Sequence, residues 1–317
     1  MSKLSNNQGR GFEYACLYEL YNAVKEIRLT KVVHNSSLDA AKRAYTTLTE
    51  EEKHTYRKSA KAMIPAIFEC EPRIVEDDSD ILELYIQQDE EGEKGDIRDI
   101  IIARDRLHWE IGLSIKHNHF AVKHSRLSPT IDFGEKWFGV PCSHNYWDAV
   151  TPVFDYLERA KHASKKFNEL PSKDSKVYKP IIAAFIEEIK RCYKKHKDIP
   201  QKMVEYLLSK YDFYKVISID GRKLTQIQAY NLHDTLNKPS KKQKPTIFIP
   251  IASLPKRIIS IDFYPGRNNT AELYMDNGWT FTFRIHNAET YVIPTLKFDI
   301  QIKGMPTEIL TLNCIWK

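Results

Sequence analysis

The segment from Asp96 to Lys116 carries the clearest structural pattern in this chain. It begins with Asp96-Ile-Arg-Asp-Ile-Ile-Ile-Ala103, a short run rich in β-branched residues, and ends with Trp109-Glu-Ile-Gly-Leu-Ser-Ile-Lys116. The second run alternates apolar and polar residues, as a strand does when one of its faces is buried. Two such strands joined by a short polar connection predict an antiparallel β-hairpin.

The patterns on either side of this hairpin indicate a mixed α/β protein. Helical periodicity, with apolar residues at three- and four-residue steps, is present in the segments 11–27, 38–68 and 146–211. Strands predominate after Phe213, where Asp276-Asn-Gly278 between two alternating runs is a hairpin signal. We therefore predict a helical and mixed part over residues 1–212 and a β-rich part over residues 213–317.

Composition and charge argue against a membrane, secreted or disulfide-rich protein. The 317 residues include 48 Lys and Arg against 42 Asp and Glu, a net charge of +6 that favours a polyanionic partner. No segment has the roughly 20 apolar residues of a membrane helix, and the polar N-terminus lacks the apolar core of a signal peptide. The five cysteines lack the spacing of a disulfide framework or a zinc site. We predict a cytoplasmic protein with reduced thiols and no membrane partner.

Lys116 and an aspartate on the neighbouring strand are the candidate catalytic residues. Metal-dependent cleavage of phosphodiesters uses a carboxylate to hold Mg²⁺ and an ammonium group to orient water or to offset negative charge. Asp99 can face Lys116 across the hairpin, and Asp96 is the rival. Residues three apart point to opposite faces of a strand, so only one of them faces the lysine. We favour Asp99, which leads directly into an apolar run; the alternative is that these are ordinary polar residues of a hairpin.

Acidic residues elsewhere have two interpretations each. Glu13, in Gly9-Arg-Gly-Phe-Glu13 at the start of the first helix, is either a first-turn acid favoured by the helix dipole or a carboxylate that reaches a site. The acidic segments 76–80 and 89–93 could bind a metal ion, but we interpret them as solvated loops.

Two further regions have the side chains of a nucleic-acid interface. The first is Lys116-His-Asn-His-Phe-Ala-Val-Lys-His-Ser-Arg126. It contains lysine, arginine and histidine side chains but no acidic residue, which suits binding to a phosphate backbone. We do not interpret its histidines as a zinc site, because no cysteine or carboxylate stands at ligand spacing. The second, over residues 283–301, alternates polar and apolar residues and carries donors, among them Gln301, that can read guanine and phosphate edges. A solvated loop and a polar sheet face in water are the alternatives. Together with Lys136, the DNA-binding candidates are His117, Asn118, Lys123, His124, Arg126, Arg284, His286, Asn287 and Lys297.

Several motifs occur in the order found in a known protein family. They are Gly9-Arg-Gly-Phe-Glu13, Gly95-Asp-Ile-Arg-Asp-Ile100, Gly112-Leu-Ser-Ile-Lys-His-Asn118, Lys123-His-Ser-Arg-Leu-Ser128, Asp132-Phe-Gly-Glu-Lys-Trp137 and the pair Phe283-Arg-Ile-His-Asn287 with Leu296-Lys-Phe-Asp-Ile-Gln301. Across nearly the whole chain they resemble the HaeIII family of type II restriction endonucleases.

This resemblance implies a restriction-endonuclease-like PD-(D/E)xK nuclease core, in which helices flank a mixed sheet. It implies Mg²⁺-dependent cleavage of double-stranded DNA at GGCC, with a central cut that leaves blunt ends. It also implies a cognate DNA methyltransferase that protects the host. A palindromic target suggests a two-fold homodimer, and a monomer that cuts each strand in turn is the alternative.

The resemblance also implies roles for individual residues. Asp99 (or Asp96) takes the role of the metal-binding aspartate, Lys116 that of the catalytic lysine, and Glu13 that of the first-helix glutamate. We therefore interpret the chain as a type II endodeoxyribonuclease. A repair or recombination nuclease on the same core is one alternative.

Ser114 is a departure from the usual pattern of such nucleases. It stands two residues before the lysine, where an acid is usual, so a second carboxylate must come from elsewhere. Glu13 is our first choice, and Asp96 through a bulge is another. Glu110 shares the face of Ser114, but four residues along a strand is roughly 13 Å. This departure keeps open a second alternative, a sequence-specific DNA-binding protein with an inactive nuclease core.

Overall fold

Two β-sheets organise the chain, each with its own helices. The computed structural model describes residues 3–88, 95–163 and 165–317, with side chains from residue 7 onwards. The acidic segment 89–93 lies outside the described residues. One unit comprises Met1–Phe120, Ser209–Ser253 and Thr307–Lys317, and the other comprises Ala121–Leu208 and Leu254–Pro306. Each unit thus contains chain from both sides of residue 212, where the sequence predicts a boundary.

The helices and strands confirm a mixed α/β chain. The helices are α1 (Lys3–Val24), α2 (Ser36–Thr46), α3 (Glu50–Cys70), α4 (Phe133–Phe138), α5 (His144–His162), α6 (Lys179–Lys195) and α7 (Ile199–Leu208). The strands are β1 (Thr30–Val32), β2 (Leu82–Ile86), β3 (Ile100–Arg104), β4 (Trp109–His117), β5 (Lys123–Leu127), β6 (Phe213–Ile219), β7 (Leu224–Tyr230), β8 (Ile258–Phe263), β9 (Thr270–Met275), β10 (Thr280–Asn287), β11 (Leu296–Gly304) and β12 (Thr311–Ile315). Strands β6 to β12 all follow residue 212, which confirms the β-rich C-terminal part.

The first unit is built on a mixed sheet of seven strands. Their order is β1-β2-β3-β4-β6-β7-β12, with β1/β2 and β4/β6 parallel and the other pairs antiparallel. The predicted hairpin of β3 and β4 is confirmed, with Ile100 opposite Leu113 and Ile102 opposite Ile111. Parallel neighbours require a long crossover connection, and the connection from β4 to β6 contains the first segment of the other unit. A mixed sheet flanked by helices is the predicted fold class.

The core of this unit lies on the apolar face of β4. That face is buried as the alternation predicts, and its residues are Trp109, Ile111, Leu113 and Ile115. They belong to one apolar cluster with Phe12 and Leu20 of α1. Helix α1 ends at Val24, so the predicted extension to residue 27 is wrong, and Ile27 is exposed. The core therefore anchors the helix that carries Glu13 against the strand that carries Lys116.

The acidic segment 76–80 is not the solvated loop that we predicted. Arg104, at the end of β3, is fully buried and donates to Glu76 at 2.9 Å, to Asp80 at 3.2 Å and to Asp78. Arg28 makes a further ion pair with Asp78 at 3.0 Å. Glu76 and Asp80 are themselves buried. These acidic side chains can be buried because two arginines that are distant in the sequence neutralise them.

The second unit is built on an antiparallel sheet of five strands in the order β5-β11-β10-β9-β8. The predicted hairpin at Asp276-Asn-Gly278 is confirmed and joins β9 to β10. The inner face of β10 and β11 packs against α4 and α6 through aromatic rings with centroids 4.9 to 6.1 Å apart, namely those of Phe283, Phe298, Trp137 and Phe185. None of the described helices in either unit has both the length and the apolar character of a membrane span.

Candidate active site

Lys116 and Asp99 meet at one end of the β3–β4 hairpin. Asp99 directly precedes β3, and its backbone N–H donates to the carbonyl of Leu113 at 2.8 Å, which holds it beside β4. The Nζ atom of Lys116 donates to Asp99 Oδ2 at 3.0 Å. The same oxygen accepts hydrogen bonds from the Ile115 backbone N–H at 2.6 Å and from Ser114 Oγ at 3.4 Å. The hairpin thus brings together the two residues that the sequence pairs across it.

The hydrogen bonds to the Asp99 carboxylate all reach one of its two oxygens. Oδ2 accepts the three bonds, and Oδ1 accepts none from the described residues. Both side chains of the pair are partly exposed, Lys116 to 26% and Asp99 to 23%. A partly solvated carboxylate with an unshared oxygen can bind an external ligand such as a metal ion.

The charges around Lys116 keep its amine protonated. Burial lowers the pKa of Lys116, but the charge and hydrogen bond of Asp99 and the charge of Glu13 outweigh burial, so the pKa is raised above its ordinary value. Burial raises the pKa of the Cys16 thiol, and the charges of Glu13 and Asp99 raise it further. The charges of Glu13 and Asp99 therefore raise the pKa of two separate groups, the Lys116 amine and the Cys16 thiol. This places Glu13 within electrostatic range of the Asp99–Lys116 pair.

Arg98 engages the two other carboxylates considered from the sequence. Asp96 is buried, and its Oδ2 lies 2.7 Å from Arg98 Nη2. Glu110 pairs with Nη1 of the same guanidinium at 2.8 Å. Arg98 lies over Gly112, where a Cβ would come within 2.0 Å of Arg98 Cδ, so the position admits only glycine without a shift. Neither carboxylate is among the charges that shift the pKa of Lys116.

His117 and Asn118, at the end of β4, are engaged within the protein. The Nε2 atom of His117 lies 2.7 Å from Asp220 Oδ2, and its ring packs against those of Phe12 and Tyr56. The side-chain oxygen of Asn118 accepts from the Asp220 backbone N–H at 3.0 Å. Both predicted DNA-binding residues thus tie β4 to the turn between β6 and β7. Sequence reasoning missed Asp220, whose only signal was an Asp-Gly turn dipeptide.

Lys215 is a second lysine near the site that sequence reasoning missed. It lies on β6 opposite Ser114, is 3% exposed, and donates from Nζ to the carbonyl of Phe120 at 2.8 Å. Burial, together with the charge of Lys116, lowers the pKa of Lys215 to about 7. The signal that could have found it is a single charged residue inside an otherwise apolar strand, which requires a specific partner.

In the second unit, Lys123 and Asn287 have partners within the protein. The Nζ atom of Lys123 donates to the carbonyl of Tyr206 at 2.8 Å and lies 3.8 Å from the centre of its ring. Burial and the charge of Lys136 lower the pKa of Lys123 to about 8. The Asn287 amide donates to the carbonyl of Glu289. Lys136 itself is exposed on α4.

The remaining DNA-binding candidates share one face of the five-stranded sheet. Directly opposed residues of neighbouring strands lie on the same face, and so do residues two apart along a strand. Two adjacent cross-strand rows form the face: Arg126–Lys297–His286 and His124–Asp299–Arg284. We call these six residues the cationic patch. The sequence assigns them to two regions far apart in the chain, and the sheet brings them together.

Comparisons with known proteins agree with the motifs of the sequence. The HaeIII restriction endonuclease family model matches residues 9–306. The type II restriction enzyme HaeIII of Haemophilus aegyptius is 53% identical to this chain over 318 residues, which cover 100% of each protein. The search of solved structures gave no match. The resemblance is confirmed, and the chain belongs to the HaeIII family of restriction endonucleases.

Proposed function

We propose that this restriction endonuclease cleaves double-stranded DNA at one short sequence, with Asp99, Lys116 and Glu13 as its catalytic residues. The observation that carries the proposal is the 3.0 Å contact between Lys116 Nζ and Asp99 Oδ2, within range of the Glu13 charge. We further propose GGCC as the target, cut in the middle to leave blunt ends. The family resemblance implies this target, and the 53% identity over the full length supports it.

Mg²⁺ is the cofactor that we propose, held by the carboxylates of Asp99 and Glu13. The donor set fits, because Mg²⁺ prefers carboxylate oxygens and Asp99 Oδ1 accepts no hydrogen bond from the described residues. Asp96 suits this role less well, because its carboxylate is buried against Arg98. When bound, Mg²⁺ supplies Lewis-acid polarisation of a phosphate oxygen and lowers the pKa of a bound water.

Lys116 supplies positive charge where the reaction develops negative charge. Its raised pKa keeps the ammonium protonated at neutral pH. An ammonium group has three N–H donors, and among the described residues only Asp99 accepts from one, so two can reach a water molecule or a phosphate oxygen. The backbone N–H of Ile115 holds the Asp99 carboxylate in one orientation. Asp99 in turn holds the Lys116 ammonium. An ammonium fixed in this way stabilises developing negative charge without reorganisation during in-line attack on phosphorus.

The proposed partners follow from the same function. Double-stranded DNA would bind at the cationic patch and at the exposed Lys136. A cognate methyltransferase would protect host DNA in the same cytoplasm. A two-fold homodimer would place one catalytic site on each strand of a palindrome. The mass of the protein in solution, compared with 37.1 kDa for one chain, tests the dimer.

A digest of defined DNA tests the proposed cleavage. We expect discrete fragments from plasmid and phage DNA in the presence of Mg²⁺, and sequencing of their ends to place a blunt cut within GGCC. Ends at unrelated sequences would favour a repair or recombination nuclease. A sequence-specific gel shift without cleavage in Mg²⁺ or Mn²⁺ would favour an inactive DNA-binding protein.

The substitution Asp99→Asn tests the catalytic assignment. It preserves the shape of the side chain but removes the charge that binds a cation, so we expect cleavage to fall by at least about 100-fold. Asp105→Asn, in the exposed turn of the same hairpin, is the matched control and should cleave at the wild-type rate. Equal cleavage by the two variants would refute the role of Asp99.

A further inference from the structure

Asp299 and Arg284 form an ion pair within the cationic patch. Arg284 Nη2 donates to Asp299 Oδ2 at 2.9 Å. The side chain of Asp299 is 7% exposed, whereas that of Arg284 is 51% exposed. The second oxygen of Asp299, Oδ1, is buried and has no hydrogen-bond partner in the described part of the chain. A buried acceptor without a partner is uncommon in folded proteins and requires an explanation other than stability.

The ion pair restricts the orientation of the Arg284 guanidinium. This group presents its N–H donors in a rigid planar fork, which matches two acceptors on one edge of a ligand. One nitrogen is held by Asp299, and neither Nε nor Nη1 donates to another described residue. The exposed donors of Arg284 are therefore oriented before a ligand binds, which lowers the entropy lost on binding.

His286 lies two residues further along β10 and offers an acceptor. Its Nδ1 atom is 2.7 Å from the carbonyl oxygen of Asn287, and a carbonyl only accepts, so Nδ1 carries the proton. Burial lowers the pKa of His286 below its ordinary value, and the charges of Arg284 and Lys297 also lower it. The Asn287 hydrogen bond and the Asp299 charge only partly offset these effects. The ring is thus neutral at pH 7, and Nε2 is a hydrogen-bond acceptor.

We propose that Arg284 and His286 together read one G·C base pair in the major groove, and that Asp299 is the positioning residue that orients Arg284. In this groove guanine presents two acceptors, N7 and O6, and cytosine presents a donor, its N4 amino group. Arg284 supplies the matching donors, and His286 supplies the matching acceptor. The two residues stand on one face of β10, roughly 7 Å apart along the strand. The inference rests on the proposed cleavage of a target with G·C pairs.

The charges around the pair are consistent with this assignment. Lys297 and Arg126 continue the row of His286 across β11 and β5, where they can bind phosphates at one edge of the groove. In the opposite direction the face becomes acidic, with Glu272 on β9 opposite Asp262 on β8. Phosphates are attracted to the basic residues on β11 and β5 and repelled by the acidic residues on β9 and β8. The side formed by β5, β11 and β10 is therefore the one that approaches DNA.

Base analogues test the assignment atom by atom. In the cleavage target, 7-deazaguanine lacks N7, and 2-pyrimidinone lacks the N4 amino group of cytosine. With wild-type protein, each analogue at the contacted position should lower the cleavage rate about 5- to 150-fold, the range for loss of one good base contact. Arg284→Ala should lower the rate on natural DNA by a similar factor, and 7-deazaguanine should then cause no further loss.

The corresponding tests for His286 use two variants. His286→Phe should lower the rate on natural DNA and be insensitive to 2-pyrimidinone. His286→Gln keeps an acceptor oxygen and should retain part of the rate and part of the sensitivity. If His286→Gln and His286→Phe behave alike toward the analogue, an acceptor role for His286 is wrong.

Asp299→Asn tests the positioning role. It keeps the shape of the side chain but weakens the hold on Arg284, so we expect a smaller rate loss than for Arg284→Ala and a reduced penalty for 7-deazaguanine. A merely structural role would lower the rate without changing that penalty. Asp262→Asn, on the acidic side of the same sheet face, is the matched control and should change neither quantity.

The design separates this inference from the proposed function. Absence of cleavage of any natural duplex by the wild type would overturn the proposed function, and gel shifts with the same analogues would still test base reading. Cleavage with an equal 7-deazaguanine penalty in wild type and in Arg284→Ala would overturn the inference alone. If Arg284→Ala does not fold, Arg284→Lys, which keeps the charge but lacks the fork, should show the same loss of sensitivity.

Discussion

The two ends of strand β3 carry ion clusters of similar chemistry in different environments. At one end, the buried guanidinium of Arg104 uses all three of its nitrogens to bind Glu76, Asp78 and Asp80. At the other end, Asp99 accepts three hydrogen bonds on one oxygen and is partly exposed. The first cluster is closed, because each nitrogen of the Arg104 guanidinium has a carboxylate partner inside the protein. The second is open, because both partners still have hydrogen-bonding capacity.

This difference separates a structural ion cluster from a reactive one. Burying charges is costly, and removing one partner of a buried pair leaves the other charge uncompensated. A partly exposed pair contributes less to stability than a buried one, because water competes with it. Lys116 and Asp99 can therefore bind a substrate or a metal ion at little cost to the fold. Four predictions test this contrast.

Arg104→Met tests the closed cluster and should have the largest effect. The substitution leaves buried carboxylates without their cation, so we expect the free energy of unfolding to fall by about 3–5 kcal/mol. Urea unfolding measures the loss. Arg106→Met, an exposed arginine in the turn of the same hairpin, is the control and should change stability by less than about 0.5 kcal/mol. Similar losses for the two variants would show that burial does not distinguish the clusters.

Lys116→Ala tests the open cluster. We expect the cleavage rate to fall by about 10²–10³-fold, because a donor that stabilises developing charge is lost. The free energy of unfolding should change by less than about 1 kcal/mol, since the pair is partly exposed. Plasmid cleavage and urea unfolding measure the two quantities. Lys58→Ala, an exposed lysine on α3, should leave both unchanged, and an equal cleavage rate for Lys116→Ala would contradict its catalytic role.

Asp96→Asn sharpens the comparison by separating the two aspartates. Asp96 is buried against Arg98, so we expect a loss of about 1–3 kcal/mol in the free energy of unfolding. The cleavage rate of the folded variant should stay within a few-fold of wild type. Asp99→Asn should show the reverse pattern. A loss of cleavage in Asp96→Asn without a loss of stability would assign the metal-binding role to Asp96 instead.

Lys215→Met should have the smallest effect, a change in how the free energy of unfolding depends on pH. The pKa of Lys215 is lowered to about 7 in the folded protein from an ordinary value of 10.5. Between these values the unfolded chain binds the proton and the folded chain does not, so wild-type stability rises with pH.

The difference between wild type and Lys215→Met should therefore shift by about 1–2 kcal/mol in favour of wild type from pH 7 to pH 9. Urea unfolding over this range measures the shift. Lys210→Met, an exposed lysine of the same unit, should show no such shift. Parallel pH profiles for wild type and Lys215→Met would show that Lys215 is not desolvated.

Much of the fold and part of the candidate site could be predicted from the sequence. The alternation from Trp109 to Lys116 correctly predicted which face of β4 is buried. Asp99 was preferred to Asp96 because it leads into an apolar run, and Asp99 is the aspartate that contacts Lys116. The prediction succeeded because both strands belong to one local hairpin. The role of Glu13 stayed open, since periodicity does not report what lies beside an acid. The interpretation as a first-turn acid is wrong, because α1 begins at Lys3 and Glu13 lies near the middle of the helix.

Residues with distant partners escaped prediction or were misread. The acids of segment 76–80 were interpreted as solvated because Arg28 and Arg104 lie far from them in the sequence. Asp220 was missed because its partner His117 is 103 residues away. Lys215 was missed because the sequence shows only a charged residue within a largely apolar strand. Its position opposite Ser114 depends on the parallel pairing of β6 with β4.

By itself the sequence determined most of the helices and strands, the β3–β4 hairpin that carries Asp99 and Lys116, and the family to which the chain belongs. Only the tertiary structure decided which strands pair across long connections, which acids are buried against arginines, and that His124, Arg126, Arg284, His286 and Lys297 share one face. The reason is physical. Local patterns specify which side of an element is apolar, whereas the partner of a charged group depends on burial and strand register, which exist only once the sheets have formed.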